Sequence, residues 1–224
     1  SLACSGGSVY LTGTADNGSN GFDLFLAKYN AAGVEQWKKY YGGVGYECGQ
    51  AIALDASGNI YVTGNSDTGM ILYKFDDSGE KLWDTGNTNY INGMAIALDG
   101  SANVYITGRT DSSNGFLVKY NTSGVLQWEN LIQADQDCGS AVKLDSTGNI
   151  YVSGSTRGNL DGETNSGNSD GFLIKYSAAG TRQWTKLLGS GALDGFNAMV
   201  LESDEYIFVF GHTEGALPGN SSLG

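Results

Sequence analysis

Acidic and amide side chains recur at two fixed points of this sequence, and oxygen-donor chemistry is what they could do. Asp23, Asn114 and Asp170 stand at one equivalent point, and Glu47, Asp137 and Asp194 at another. Gathered on one face, the six form a candidate ligand-binding set. They would also suit hard cations, since calcium takes about six to eight oxygen ligands. The densest cluster lies within 160–171, where Asp161, Glu163, Asn165, Asn168 and Asp170 are available; Asp161, Glu163, Asn165 and Asp170 are the candidate calcium set. The spacing is not that of an EF-hand, because Ser166, not glycine, stands sixth from Asp161. The same groups would equally cap turns and face water, and both readings stand at this point.

Catalysis has less to draw on. His212 is the single histidine, so no Ser-His-Asp set can be nominated around it, and its place predicts an exposed loop residue. Two acids could be drawn from the recurring sets for glycoside hydrolysis, but nothing selects a pair. No phosphate loop and no Cys/His metal spacing occurs. No catalytic residue is nominated.

The elements that must hold these acids form a repeat. Its closing glycines are Gly13, Gly64, Gly108, Gly154 and Gly211, spaced 51, 44, 46 and 57 residues apart. Phe172, Ile174 and Tyr176 alternate with Leu173 and Lys175, the period of a strand. A turn ending in Gly180 comes next, then a return strand ending at Trp184. After a variable loop come two more strands, Ala198 to Leu201 and Tyr206 to Phe210. The other units match: first strands end in Lys28-Tyr29, Lys74-Phe75 and Lys119-Tyr120, and second strands at Trp37, Trp83 and Trp128.

Four short antiparallel strands and one indole per unit predict an all-β fold, a β-propeller of four-stranded blades. The units run at about 22–64, 70–108, 115–154 and 171–211, with a half unit at 1–13. The indoles are expected to wedge between neighbouring blades. The recurring Lys28, Lys74, Lys119 and Lys175 are expected to be structural, their stems lying along apolar surface. Four blades and a half leave a ring open, which predicts a larger parent propeller or an edge that pairs with another chain.

The segments Phe172-Leu-Ile-Lys-Tyr176 through Trp184, and Leu144-Asp through Gly148-Asn-Ile-Tyr-Val-Ser-Gly154, resemble the bacterial beta-propeller repeat family, also called SBBP repeats. Glu202 to Gly211 departs from the pattern by lacking its Gly-Asn turn. The resemblance implies a secreted or cell-surface protein without an assigned chemistry. Tyr73 to Trp83 is also similar to the tryptophan-docking repeats of quinoprotein dehydrogenases, which implies a calcium-bound quinone as a minor alternative.

Composition narrows the partners. A net charge of −12 argues against nucleic acid and anionic lipid, which need clustered Lys and Arg. No apolar run reaches the length of about 18 residues that a spanning helix requires. Thirty-five glycines and one proline predict many tight turns. Cys48 and Cys138 occupy the same point of two units and read as small buried residues, not a bridge; Cys4 is expected beside a turn. Asn17, Asn121 and Asn220 head possible sequons, which decide nothing alone. The first residue, Ser1, falls inside a repeat, and the chain is expected to be a piece of a longer protein.

Three functions stand as expectations. The first is a non-catalytic extracellular module that binds protein or glycan through its variable loops. The second is an enzyme, a hydrolase, lyase or quinoprotein, that uses the acids of the same face. The third is an architectural block that self-associates into a filament or layer.

Overall fold

The computed structural model describes residues 1–16, 18, 21–202 and 206–217. Five antiparallel sheets succeed one another along the chain, and no helix occurs among the described residues. Sheet I holds β1 (Leu2–Ser5), β2 (Ser8–Asp16), β3 (Phe22–Asn30) and β4 (Glu35–Tyr41). Sheet II holds β5 (Glu47–Leu54), β6 (Ile60–Ser66), β7 (Gly69–Phe75) and β8 (Lys81–Asn87). Sheet III holds β9 (Tyr90–Leu98), β10 (Val104–Thr110), β11 (Gly115–Tyr120) and β12 (Leu126–Ile132). Sheet IV holds β13 (Cys138–Leu144), β14 (Ile150–Thr156), β15 (Asp170–Tyr176) and β16 (Arg182–Leu188). Among the described residues sheet V holds β17 (Asp194–Leu201) and β18 (Ile207–Thr213). Within every sheet the strands lie side by side in chain order.

Two compact units result: 1–104 with 120–126, and 105–119 with 127–224. In the first, Leu24, Leu26, Ile52, Ile60, Val62 and Phe75 form a buried cluster. In the second, Ala141, Tyr151 and Met199 do so, with Leu173, Leu201, Ile207 and Val209 packed against them.

The sheets are phased half a repeat away from the sequence units. The chain passes to a new sheet after each tryptophan strand, not after each closing glycine. Residues 1–13 therefore open a complete sheet, and the half sheet lies at β17–β18. The physical reason is visible at β6–β7. Only Asp67 and Thr68 separate those strands, a hairpin-length link that keeps them paired.

Each complete sheet carries one cross-strand row of Tyr, Lys and Trp. In sheet I, Tyr10 faces Lys28 and Lys28 faces Trp37. The Lys Nζ atoms of the four rows lie 5.2, 4.9, 5.0 and 5.1 Å from the centroids of Tyr10, Tyr61, Tyr105 and Tyr151. That is cation–π distance, and it bears out the structural role expected for the lysines. Lys28 also meets Asp77, in the turn of the next sheet, at 2.7 and 2.8 Å.

The indoles reach the next sheet in the same way. Trp37 stacks on the backbone of Gly79, Trp83 on that of Gly124 and Trp128 on that of Gly180. Trp83 Nε1 donates to the Thr122 carbonyl at 3.2 Å, and Asn130 Nδ2 to the Gly180 carbonyl at 2.9 Å. The turn glycines have φ of +81°, +76° and +81°, a backbone that glycine adopts readily and that brings the indole onto bare main chain.

The tight turns satisfy themselves. Asn30, Asp55, Asp76, Asp99, Asn121 and Asp145 each accept, through Oδ1, the N–H groups two and four residues ahead, at 2.8–3.0 Å. The β1–β2 turn departs from this. It uses Gly6 and Gly7, both at positive φ, so Cys4 pairs with Val9 within the strands.

Burial pushes the Asp145 carboxyl up, but hydrogen bonds from Asn149, Thr147 and Tyr151 outweigh it and hold the group at about 2. Its contribution is therefore present above the ordinary carboxyl value and is lost as pH falls toward 2. Asp145→Ala should cost about 2 kcal/mol near neutral pH, from lost charge-assisted bonds. It should also flatten the acid limb of a urea-midpoint profile; an unchanged acid limb would contradict the assignment.

Candidate functional site

The sheets present two unlike edges. One carries the uniform Asx turns. The other carries every sheet-to-sheet crossing and the β2–β3, β6–β7, β10–β11 and β14–β15 links. These vary from the two residues of β6–β7 to the thirteen of 157–169. Loop variation on a constant scaffold is how binding surfaces are commonly built.

The recurring acids sit at this edge, and most are buried. Asp23, Asp137, Asp170 and Asp194 are 2%, 0%, 1% and 3% exposed, so they are not the solvent-facing caps of one sequence reading. They hold loop backbone. Asp137 Oδ2 accepts the Ala134 N–H at 2.6 Å, and Asp194 Oδ2 the Ser190 N–H at 2.6 Å and its hydroxyl at 2.8 Å. Asp170 Oδ2 accepts the Ser166 N–H at 3.0 Å. A side chain at Gly42 would strike Asp23 and Glu47, and one at Gly189 would strike Asp170. Asp137 and Asp194 thus bond the crossing loop before their own strand, Asp23, Glu47 and Asp170 pack against one, and Asp170 bonds the β14–β15 link. Asn114 differs: it is half-buried, and its amide donates to Ser112 at 3.3 Å within its own turn.

Burial raises Glu47, with Asp23 and Asp67 adding to the shift and the Gly43 N–H opposing it. Burial likewise raises Asp137; Asp135 adds, while Thr156, the Ala134 N–H and Arg182 oppose. At Asp194 burial also pushes upward, but Thr213 and Ser190 outweigh it and the carboxyl falls below its ordinary range. A raised carboxyl keeps its proton longer when folded, so its effect on stability declines as pH rises from the ordinary value through the raised one. Asp137→Asn should remove that decline and leave the urea midpoint equal or higher at about pH 7, because a costly buried charge disappears. A clear drop at that pH with an unchanged slope would contradict it.

The calcium set of 160–171 is engaged in separate contacts. Arg182 Nη1 meets both Asp161 oxygens at 2.7 Å, and the Thr185 hydroxyl donates to the same carboxylate. Glu163 pairs with Lys186 at 2.5 Å. Asn165 accepts the Gly167 N–H at 2.8 Å and donates to the Thr156 carbonyl at 3.0 Å. Asp170 accepts from Ser166 through Oδ2, and its Oδ1 is buried without a hydrogen-bond partner among the described residues. Among the described residues no group of three or more His, Cys, Asp or Glu side chains is placed to hold a metal ion. His212 lies in strand β18 opposite Gly195, not in a loop, though it is exposed. Cys4, Cys48 and Cys138 are free; Cys48 is buried and Cys138 half-buried. Asn17 and Asn220 lie outside the described residues, and Asn121 is the acceptor of its own Asx turn.

Sequence reasoning missed a pocket on this edge in the second unit. About 240 Å³ in volume, it is lined by Arg109, Gln136, Ser155, Arg157, Ser169 and Leu193, with Cys138. Arg109 and Ser155 are the residues directly after closing glycines, the position that also holds His212. Three arginines occur in the whole chain, and two of them here.

With this geometry in view, the sheets are β-propeller blades: four-stranded antiparallel meanders repeated along the chain and joined by indole-on-turn docking. A family model described as a beta-propeller repeat, SBBP, matches residues 36–69, from β4 to the start of β7. No curated protein matches the sequence. Among solved structures, Sqt1 from Chaetomium thermophilum is similar with a TM-score of 0.61 at 12% identity, over 94% of this chain and 55% of that one. A protein of unknown function from Bacteroides caccae gives 0.52 at 10% identity, over 93% of this chain and 75% of that one. Drosophila Plexin A, in complex with Semaphorin 1b, gives 0.53 at 11% identity, over 93% and 43%. The chain thus spans only about half the length of two of these three. At such identities the likeness concerns fold alone. No helix of the described residues is long and apolar enough to cross a membrane.

Proposed function

We propose that this chain is a non-catalytic recognition module, exposed outside the cell or on its surface, that binds glycan or protein through the variable-loop edge. The observation that carries the reading is the contrast between the two edges. Apart from the glycine turn of β1–β2, the described tight turns share one pattern and close on their own side chains. The opposite loops vary in length and sequence, yet buried carboxylates secure their backbone. Such loops are pre-organised, which lowers the ordering cost of binding. The resemblance to secreted and surface repeats supports the location.

A glycan array and a pull-down with the whole chain test the proposal. Ligand should be retained by Ala179→Lys, which alters an exposed tight turn. It should be lost when 157–169 is shortened to the two-residue length of the β6–β7 link. Equal retention by both variants, or no ligand for the parent chain, would contradict the reading.

Sheet V favours a second reading, a building block that stacks on further copies of itself. Phe208 corresponds to Tyr10, Tyr61, Tyr105 and Tyr151, which are at most 4% exposed, but is itself 47% exposed. Phe210, at 55%, corresponds to Thr12, Thr63, Thr107 and Ser153, all at 3% or less. An apolar sheet face this open invites a second sheet. Light scattering should then show association that Phe208→Lys with Phe210→Lys abolishes; a parent chain monomeric at high concentration would remove this reading.

A further inference from the structure

The geometry points to the Arg109–Arg157 pocket as a site for an acidic sugar residue, a pyranose bearing one carboxylate. This rests on the loop-edge reading above and gives it a ligand class. Charge is the first ground. The chain carries 24 acids against 12 bases, so two guanidinium groups lining one pocket are a local excess of positive charge on an acidic molecule. Lys28, Lys38, Lys39, Lys81, Arg182 and Lys186 each form an ion pair. Among the described residues Arg109 and Arg157 have no carboxylate partner, and they line the same pocket. Ser113 Oγ accepts from Arg109 Nη2 at 2.8 Å and steadies that guanidinium without neutralising it. The Arg157 main chain is fixed by its N–H to the Asp135 carbonyl at 2.8 Å. Two guanidinium groups are suited to planar, paired recognition of a carboxylate.

The remaining lining decides between a sugar and a peptide. Gln136 offers both donors and an acceptor, and Ser155 and Ser169 add hydroxyls. A ring with several hydroxyls can match these groups, whereas an Asp or Glu side chain brings only its carboxylate. Leu193 provides a small apolar wall. Gln136 is held at φ +51°, a conformation uncommon for a residue other than glycine, as often seen at recognition sites. A volume of about 240 Å³ suits a single ring more than a long segment. Two acids bound the site: Asp135 is exposed beside it, and Asp137 is buried with its carboxylate on the Ala134 N–H. Their negative field should make the site selective for a single charge over a dense polyanion.

The test is a chemical-shift titration of the whole chain with glucuronic acid, glucose and a capped Asp-Glu peptide at low salt. Glucuronic acid should shift Arg157 and Gln136 resonances, and glucose should bind at least tenfold more weakly. Arg157→Gln should raise the dissociation constant for glucuronic acid at least tenfold without moving the melting temperature. Arg157→Lys should recover only part of the affinity, since the charge returns without the fork. Equal binding of glucose, tighter binding of the peptide, or an unaffected Arg157→Gln would each overturn the proposal. Should an array ligand be lost on loop shortening yet kept by Arg157→Gln, the edge reading survives and this pocket is not its site.

Discussion

Trp83→Ala should destabilise the chain by about 2 to 3 kcal/mol, whereas Trp184→Ala should cost about 1 kcal/mol or less; full burial of an indole would set the figure at about 3 to 5. The two residues have the same type, the same strand position and equivalent tyrosine neighbours, Tyr61 and Tyr151, at centroid distances of 6.1 and 6.2 Å. They differ in the turn that the next sheet offers them. Trp83 lies on the Gly124 main chain and donates to the Thr122 carbonyl. Trp184 precedes the two-stranded sheet V, meets no such turn among the described residues and is 37% exposed. Urea unfolding of each variant against the parent checks the difference. Equal losses would mean that the indoles serve their own sheets only.

Gly154→Ala should cost about 3 kcal/mol, at the upper end of overpacking effects. Strand β13 carries a bulge opposite this glycine, where the register shifts between Gly139 and Ala141. The bulge pushes the Cys138 carbonyl toward Gly154: a Cβ there would lie 2.9 Å from the carbonyl carbon and 2.7 Å from Phe172 Cζ. Neither can move away without breaking the ladder or the core. Gly191→Ala is the control, since a Cβ there meets nothing within 4 Å, and it should change the urea midpoint little. If Gly154→Ala were as mild, the bulge would not be what demands glycine at 64, 154 and 211, where a Cβ would strike the carbonyl of the bulged strand.

These residues also show what the sequence makes legible. Strands, turns, closing glycines and the lysine–tyrosine–tryptophan row come from local rules: period two, Asx turns, and recurrence. Grouping into sheets does not. Successive antiparallel strands look alike whichever link crosses between sheets, and recurrence alone places the crossing after the closing glycine. The two-residue Asp67-Thr68 link is the local sign that it lies elsewhere, because so short a connection holds its strands in one sheet. At the site, the recurrence of Asp23, Glu47, Asp137, Asp170 and Asp194 is legible, but their orientation is not. Whether a carboxylate turns outward to a cation or inward to a loop N–H depends on the path of the crossing loop. The Arg109–Arg157 pocket is hidden for a related reason. The two residues stand at different places in different repeats, and only the fold makes them neighbours.

The most direct test of the blade-docking account is a double-mutant cycle between Trp83 and Gly124, set against Gly33→Ala. Gly33 and Gly124 occupy the same turn position at the same φ of +76°, but a Cβ at Gly33 meets nothing within 4 Å, while one at Gly124 lies 3.0 Å from Trp83. Backbone strain is therefore common to both, at about 1 to 2 kcal/mol. The account predicts that Gly124→Ala is costlier than Gly33→Ala, and that the excess disappears when Trp83 is already alanine. Equal costs at the two glycines, with strict additivity between Gly124→Ala and Trp83→Ala, would contradict it.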